Sequence, residues 1–323
     1  MQNYVVVIGA ANIDIGGAPI KPLIPADSNP GHISITYGGV ARNIAHNLSR
    51  LGVPVKLITA VGGDLLGKDL LRHCERGGID TSHVLIDEKD SSSMYLYINN
   101  EAGDMELAID HIKIGDKITP SYLDSVADVI NGATLVVSDG NVSLEAFRHL
   151  RKICQVPIYV DPVSTALTVR IKDDLDGIEA IKPNRLEAEY LTGMTIRTDA
   201  DYRAAADAIL DKGVRRVFIS MGDEGIFAAD REHRYIVGKC PAKVVCTTGA
   251  GDSAAAAIAW AYSAALEQHP EQIGSGNMLV LAAKAANAAA SLTVEATETI
   301  SPDLSAEAVL DRIRRFDMEV RKL

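Results

Sequence analysis

The chain has 323 residues, of which 47% are hydrophobic and 23% charged, enough apolar material to bury one large core with or without an appended element. Its formal net charge of −11 comes with scattered lysines and arginines, which argues against nucleic acid or an anionic membrane as partner and leaves a small molecule as the expected one. The opening MQNYVVVIGAANID has no basic segment, and its apolar run is too short for a signal peptide or a membrane span, so a cytoplasmic chain is expected.

In chain order, the first apolar run, Tyr4–Ile8, reads as a buried strand. Asn12 and Asp14 follow it. They are expected at the carboxyl end of that strand, where open α/β sheets bind ligands, and either could hydrogen-bond a sugar hydroxyl. Ile33–Tyr37 is a further strand outside the main rhythm. Gly38 and Gly39 then open a helix over Ala41–Leu51, with Ile44, Ala45, Leu48 and Leu51 on one face and Gly52 as its stop. Asn43 lies in its first turn, and Gly39 would let a ligand approach the backbone. Val55–Ala60 is the next buried strand. Ser92–Ile98 and Met105–Ile109, joined by the polar turn from Asn99 to Asp104, read as a hairpin. Tyr95 and Tyr97 share one face of it, opposite Met94, Leu96 and Ile98, and are expected to pack the sheet. Leu135–Ser138, Ile158–Val160, Ala180–Ile181 and Val217–Ser220 complete a βαβ rhythm with helices such as Asp201–Lys212 between them. The expected architecture is α/β: one domain over 1–323, a central, mostly parallel sheet in a three-layer sandwich, and a small β lid inserted as about 15–37 and 90–111.

Chemistry concentrates after the later strands. Asn184 and Glu187, three residues apart on one helical face, read either as a capping box or as groups that hold a hydrated Mg²⁺ near phosphate. Ser220, Gly222 and Gly225 allow a nucleotide phosphate to pass close to the backbone. The apolar Lys243–Cys246 reads as a strand that runs through Thr248-Gly249-Ala250-Gly251-Asp252 into an alanine-rich helix beginning near Ser253. Backbone N–H groups and a helix dipole there suit an anion, and the adjacent Asp252 carboxylate suits a base next to a transferring phosphoryl group. Cys74, Cys154, Cys240 and Cys246 form no CxxC pair and are expected as free thiols, and the eight histidines make no metal-binding or triad pattern.

In their order along nearly the whole chain, these segments resemble the ribokinase-like (PfkB) family of carbohydrate and nucleoside kinases. Asp27-Ser28-Asn29-Pro30-Gly31, GGVARNIAHNL, Asp161-Pro162-Val163-Ser164, KPNRLEAE, SMG and Ser301-Pro302-Asp303-Leu304-Ser305 are most similar to the branch that phosphorylates pseudouridine. The resemblance implies ATP as phosphoryl donor with Mg²⁺, and Asp252 as the base that deprotonates a ribose 5′-hydroxyl. Gly249, Ala250 and Gly251 would form the anion hole, and Asn12, Asp14, Gly39 and Asn43 would hold the ribose, with Ser28, Tyr95 and Tyr97 as candidates for the base pocket. Asn184, Ser220, Gly222 and Gly225 would line the nucleotide site, Asn287 would lie near adenine, and Glu187 would hold Mg²⁺ through water. Where many relatives carry Asp or Asn at a position associated with a monovalent cation (K⁺), this chain has Cys246, so potassium activation does not carry over directly. A homodimer through the lid is expected. The other readings are a kinase for ribose, adenosine, inosine or another nucleoside, and a non-catalytic binding protein of the same fold, which the intact Asp252 disfavours.

Overall fold

The structure, a computed structural model, describes residues 3–323. Its sixteen strands are β1 (Val5–Ile8), β2 (Asn12–Pro19), β3 (Gly31–Gly38), β4 (Val55–Ile58), β5 (Ala60–Gly62), β6 (Ile79–Asp80), β7 (Leu85–Asp87), β8 (Met94–Asn99), β9 (Met105–His111), β10 (Leu135–Asp139), β11 (Ile158–Asp161), β12 (Ala180–Ile181), β13 (Arg216–Ser220), β14 (Ile226–Ala229), β15 (Arg234–Val237) and β16 (Val320–Lys322). The helices are α1 (Val40–Arg50), α2 (Leu65–Arg76), α3 (Pro120–Ser125), α4 (Ala127–Asn131), α5 (Leu144–Ile153), α6 (Thr165–Ile171), α7 (Arg185–Thr192), α8 (Asp199–Asp211), α9 (Ala250–Gln268), α10 (Gly276–Val294) and α11 (Ala306–Arg315).

A ten-stranded sheet in the order β16-β15-β14-β13-β12-β11-β10-β1-β4-β6 forms the middle layer. From β6 to β13 every neighbouring pair is parallel, and β14 to β16 close the other end antiparallel. Strand alternation divides the core in two. Val5, Val7, Leu135 and Val137 face α1, α9 and α10, whereas Val6, Ile8 and Val136 face the side of α5 and α8. Each such fully buried side chain contributes about 1.5–3 kcal/mol. The alanine-rich α9 and α10 pack closely together because small side chains let their backbones approach. α10 is long and apolar enough to cross a membrane by length and composition, yet 67% of its apolar window is buried inside this fold. The four cysteines are unpaired.

The expected strands recur within a residue or two, and the helices read over Ala41–Leu51 and Asp201–Lys212 are α1 and α8. Two expectations fail in the segment before α9. Lys243–Cys246 is not a strand: Val244 and Val245 are exposed, and the N–H groups of Val245 and Cys246 donate to Val294 O. The free side of β15 is already paired by β16 from the C-terminus, so no edge remains there. α9 also begins at Ala250, with Gly249 as a left-handed N-cap, which puts Ala250, Gly251 and Asp252 in its first turn.

A second sheet, ordered β3-β2-β8-β9, projects from the core. It begins at Asn12, three residues before the expected lid boundary, so Asn12 and Asp14 lie on its strand β2 and not at the tip of β1. Register places Asp14, Thr36, Tyr95 and Asp110 on one face, and Ile15, Ile35, Leu96 and Ile109 on the other. The second face is apolar and open, with Ile33 79% and Ile109 64% exposed.

Gly225 shows how close the backbones run. At φ 111° a Cβ there would strike Val237 O and Gly238 C, whereas at Gly222, φ 64°, the space is empty. Gly225→Ala should therefore cost at least about 1–3 kcal/mol and lower Tm by roughly 2–10 °C, with Gly222→Ala at the mild end. Calorimetric melting of both variants checks this, and equal melting would refute the close approach.

Candidate active site

The site forms where the carboxyl ends of β1, β10, β11 and β12 meet the N-termini of α1 and α9, the place where parallel sheets leave a crevice. Gly39, at φ 89°, caps α1. A Cβ there would strike Ala10 O and Ala11 Cα, so only glycine lets the β3–α1 corner lie on the β1–β2 turn. The next turn carries Arg42 and Asn43. Arg42 is almost fully buried. Its Nε donates to Gly38 O at 3.2 Å and its Nη2 to Tyr37 O.

Asn43 Nδ2 donates to Asp252 Oδ2 at 2.6 Å, which joins α1 to the first turn of α9. Burial first, then the neighbouring Asp161 carboxylate, pushes the Asp252 carboxyl from 3.8 up to about 7, against the pull of Asn43, Lys182 and Arg42. Lys182, at the end of β12, pairs with Asp161 at 3.2 Å, and both are buried. Its Nζ lies 3.8 Å from where a Cβ on Gly251 would stand, so the first turn of α9 has an ammonium beside it. No side chain from the N-cap residue caps α9. Its first N–H groups, the helix dipole and Lys182 together present the donors and positive charge that suit an anion, next to the Asp252 carboxyl.

Asp14 lies near Arg42. Burial raises its pKa, and Arg42 opposes the rise. Two carbonyl oxygens in this region, Asn12 Oδ1 and Asn43 Oδ1, are buried with no hydrogen-bond partner within the chain. Asn12 and Asp14, on one face of β2, line different cavities. Asp14 lines one of about 950 Å³ together with Arg42, His46, Tyr95 and Tyr97. Asn12 lines one of about 200 Å³ with Ser93, Lys113, Asn141 and Arg170 among apolar neighbours such as Ile112 and Leu167. Tyr95 and Tyr97 thus face a cavity and do not merely pack the lid.

Other expected site residues are placed as follows. Asn184 and Glu187 form a complete capping box at α7: Glu187 N–H donates to Asn184 Oδ1, and Asn184 donates to both Glu187 carboxylate oxygens, at 2.8 and 2.9 Å. Glu187 is buried, and burial raises its pKa. Its oxygens and that of Asn184 are hard donors of the kind a hydrated Mg²⁺ accepts. No cluster of three or more His, Cys, Asp or Glu able to hold a metal directly occurs among the described residues. Ser220 ends β13 and bridges to Asn184, with Gly222 and Gly225 in the turn beyond. Asn287, on α10, donates to Val237 O and Gly238 O at 3.0 Å. Ser28 is exposed in the loop between β2 and β3 and lines neither cavity. Cys246 lines the larger cavity. Arg42, Asp139, Asp161 and Lys182 were not singled out as site residues, although the last three sit at carboxyl ends of parallel strands.

The sequence profile of the pfkB family carbohydrate kinase matches residues 2–306, and the chain belongs to that family. It is 35% identical to the pseudouridine kinase of Escherichia coli (strain K12), over 98% of both chains. Among solved structures it resembles a carbohydrate kinase from Agrobacterium tumefaciens, 26% identical, with a TM-score of 0.84 and coverage of 99% of this chain and 100% of that one. An Arabidopsis thaliana ribokinase complexed with ribose and ATP, 24% identical, shares the fold with a TM-score of 0.81 over 98% and 100% of the two chains. The fold is ribokinase-like, and the family makes the chain an ATP-dependent phosphotransferase.

If Asp252 is the base, kcat/KM should rise with pH through about 7 as its carboxyl ionises. Asp252→Asn, nearly isosteric, should lower kcat by about 10²–10⁴-fold. Stability gives an independent reading. A carboxyl raised from 3.8 to about 7 contributes stability that is fully present below pH 3.8 and is lost as pH rises through about 7. The variant escapes that loss, so its melting temperature relative to the parent should increase across that interval. A variant that keeps most of its kcat would remove Asp252 from the chemistry.

Proposed function

We propose that this kinase phosphorylates the 5′-hydroxyl of pseudouridine, using ATP, to give pseudouridine 5′-phosphate. The observation that carries the reading is the hydrogen-bonded Asn43–Asp252 pair at the uncapped N-terminus of α9, with Asp14 and Asn12 nearby on β2. The likeness to the E. coli pseudouridine kinase over almost the full length supports pseudouridine as the nucleoside.

In this reading Asp14, Asn43 and Gly39 hold the ribose so that its 5′-hydroxyl lies against Asp252. As the hydroxyl oxygen bonds to the γ-phosphorus, the bond to the bridging oxygen of ADP breaks and Asp252 takes the proton. Backbone N–H groups at Gly249, Ala250 and Gly251 stabilise the charge on the phosphoryl oxygens, and one such donor is worth about 10²–10³ in kcat. Glu187, with Asn184, would hold Mg²⁺ through its waters, and that ion, when bound, neutralises phosphate charge. Ser220, Gly222 and Gly225 flank the path of the nucleotide. Dependence on ATP supports a cytoplasmic place of work.

In this reading the smaller cavity, which Asn12 lines, takes the base, so that Asn12, expected at the ribose, turns to the base instead. Pseudouridine, joined through carbon, carries one more ring N–H than uridine. Asn12 Oδ1 is a buried acceptor without a partner on the wall of that cavity. A site built to accept such a proton rejects the analogue without it strongly, because its own polar group is then left unpaired. A panel of pseudouridine, uridine, ribose, adenosine and inosine, scored for ADP release with and without EDTA, should show Mg²⁺-dependent turnover of pseudouridine and far less of uridine. Turnover of ribose or adenosine with none of pseudouridine would overturn the assignment.

The open apolar face of the lid supports a second proposal, a homodimer through Ile33, Ile35, Leu96, Leu107 and Ile109. A double variant, Ile35→Asp with Ile109→Asp, should sediment as a monomer where the parent sediments as a dimer. A parent that sediments as a monomer at micromolar concentration would exclude the interface.

A further inference from the structure

Asp139 ends β10 beneath the turn that leads into β2 and the first turn of α1, and it is almost fully buried. Its Oδ2 accepts from Ala10 N–H at 3.0 Å, Ala41 N–H at 2.9 Å and Asn141 Nδ2 at 3.2 Å, and its Oδ1 accepts from Asn141 N–H at 2.9 Å. Every partner is an uncharged donor. Gly9 must lack a side chain because a Cβ there would overlap the Asp139 carboxylate. The N-cap residue of α1 has no side chain to offer, so Asp139 caps that helix from a different strand, 98 residues away. The same oxygen holds Ala10, two residues before Asn12.

We infer that Asp139 is a positioning residue for the substrate: one carboxylate fixes the β1–β2 turn, which leads to Asn12 and Asp14, against the start of α1, which carries Asn43. The inference rests on reading those three residues as nucleoside-binding and is independent of which base is read. Arg42 N–H donating to Ala10 O at 3.1 Å is a second tie between the two segments, but only Asp139 joins them through a single acceptor. Nothing else in the site explains a buried carboxylate here, since Asp139 lines neither cavity and touches none of the anion-site groups.

Protonation should loosen the clamp, because a proton on either oxygen would face an N–H donor. Burial raises this carboxyl from 3.8 to about 6, and the four hydrogen bonds counter only part of the rise. On the elements packed against it, the charged neighbours are Asp161, its register partner on β11, and Arg42, next to Ala41 on α1.

Three measurements on the full chain test the inference. Asp139→Ala should weaken pseudouridine binding in calorimetry by about 10- to 150-fold while ATP affinity stays within about twofold of the parent, since a hydrogen bond to a charged group is lost on each segment. Asp139→Asn, which keeps the shape and one acceptor oxygen and covers the case where the alanine variant does not fold, should be intermediate. It should also lose the part of the parent's fall in affinity centred near pH 6, whereas the titrations of Asp14 and Asp252 are common to both proteins and cancel in the difference. Amide exchange at Ala10 and Ala41 should quicken in both variants. Parent-like pseudouridine affinity in a folded Asp139→Ala, or a parent-like pH profile in Asp139→Asn, would overturn the inference. A parent that binds neither pseudouridine nor ribose would instead overturn the nucleoside reading, and unchanged amide exchange would by itself show that no clamp exists.

Discussion

The site is governed by an imbalance of buried charge. Asp14, Asp139, Asp161, Glu187 and Asp252 converge on the carboxyl edge of the sheet, where Arg42 and Lys182 are the two buried cations among the described residues. Burial makes Asp14, Asp139, Glu187 and Asp252 hold their protons more tightly, and Asp252, crowded by Asp161 as well, is raised to about 7. That value lets one group accept a proton from a hydroxyl near neutrality without being fully ionised at rest. The same deficit suits the arrival of a hydrated divalent ion with ATP. It also explains why Lys182 stays charged: burial alone would lower its pKa, but Asp161, Glu187 and Asp252 together raise it.

Such a cluster would destabilise a less constrained scaffold, and the fold holds it by tying its parts to one another across large separations in sequence. Asn43 reaches Asp252 across 209 residues, and Asp139 reaches Ala10 and Ala41 across 129 and 98. Each tie joins a helix terminus or strand end to a different element, so the acceptor geometry of one carboxylate is enforced by the packing of two layers. Close glycine contacts serve the same end. Gly9 and Gly39 bring backbones within the reach of these side chains, and any Cβ would separate them.

Much of this was legible in the sequence because it is local. The buried strands announce themselves as apolar runs, α1 by its periodic Ile44, Ala45 and Leu48, and the α7 capping box by Asn184 and Glu187 three residues apart. What escaped is long-range. That Lys243–Cys246 has no strand partner depends on β16, nearly eighty residues later, having taken the edge. That Tyr95 and Tyr97 line a cavity depends on β8 pairing in parallel with β2, which fixes the face they share with Asp14. Asp139, Asp161 and Lys182 each end a strand in an ordinary-looking way, and their roles exist only once β10, β11 and β12 lie side by side. Ser28 illustrates the reverse: its motif is plain in the sequence, but the loop that carries it sits out in solvent at the far end of the lid.

The lid is not an independent appendage, because Arg42 belongs to both halves of the molecule. Its guanidinium holds Tyr37 O and Gly38 O, the root of β3, while its charge supports Asp14 and Asp252. Tyr37 adds a second anchor, its hydroxyl donating to Asp69 on α2 and its ring lying against His73 with centroids 4.4 Å apart. The β3 root is therefore fixed to the layer that carries the candidate base, whereas β9, at the opposite edge of the lid sheet, is exposed along its whole length. Any change of charge at Asp14 must act on Arg42, and through it on the strand root. Arg42 thus ties the root of the lid to the two carboxyls beside it, although its pull on Asp252 is the smallest of the influences there, after burial, Asp161, Asn43 and Lys182, so it links the two regions without governing the proton.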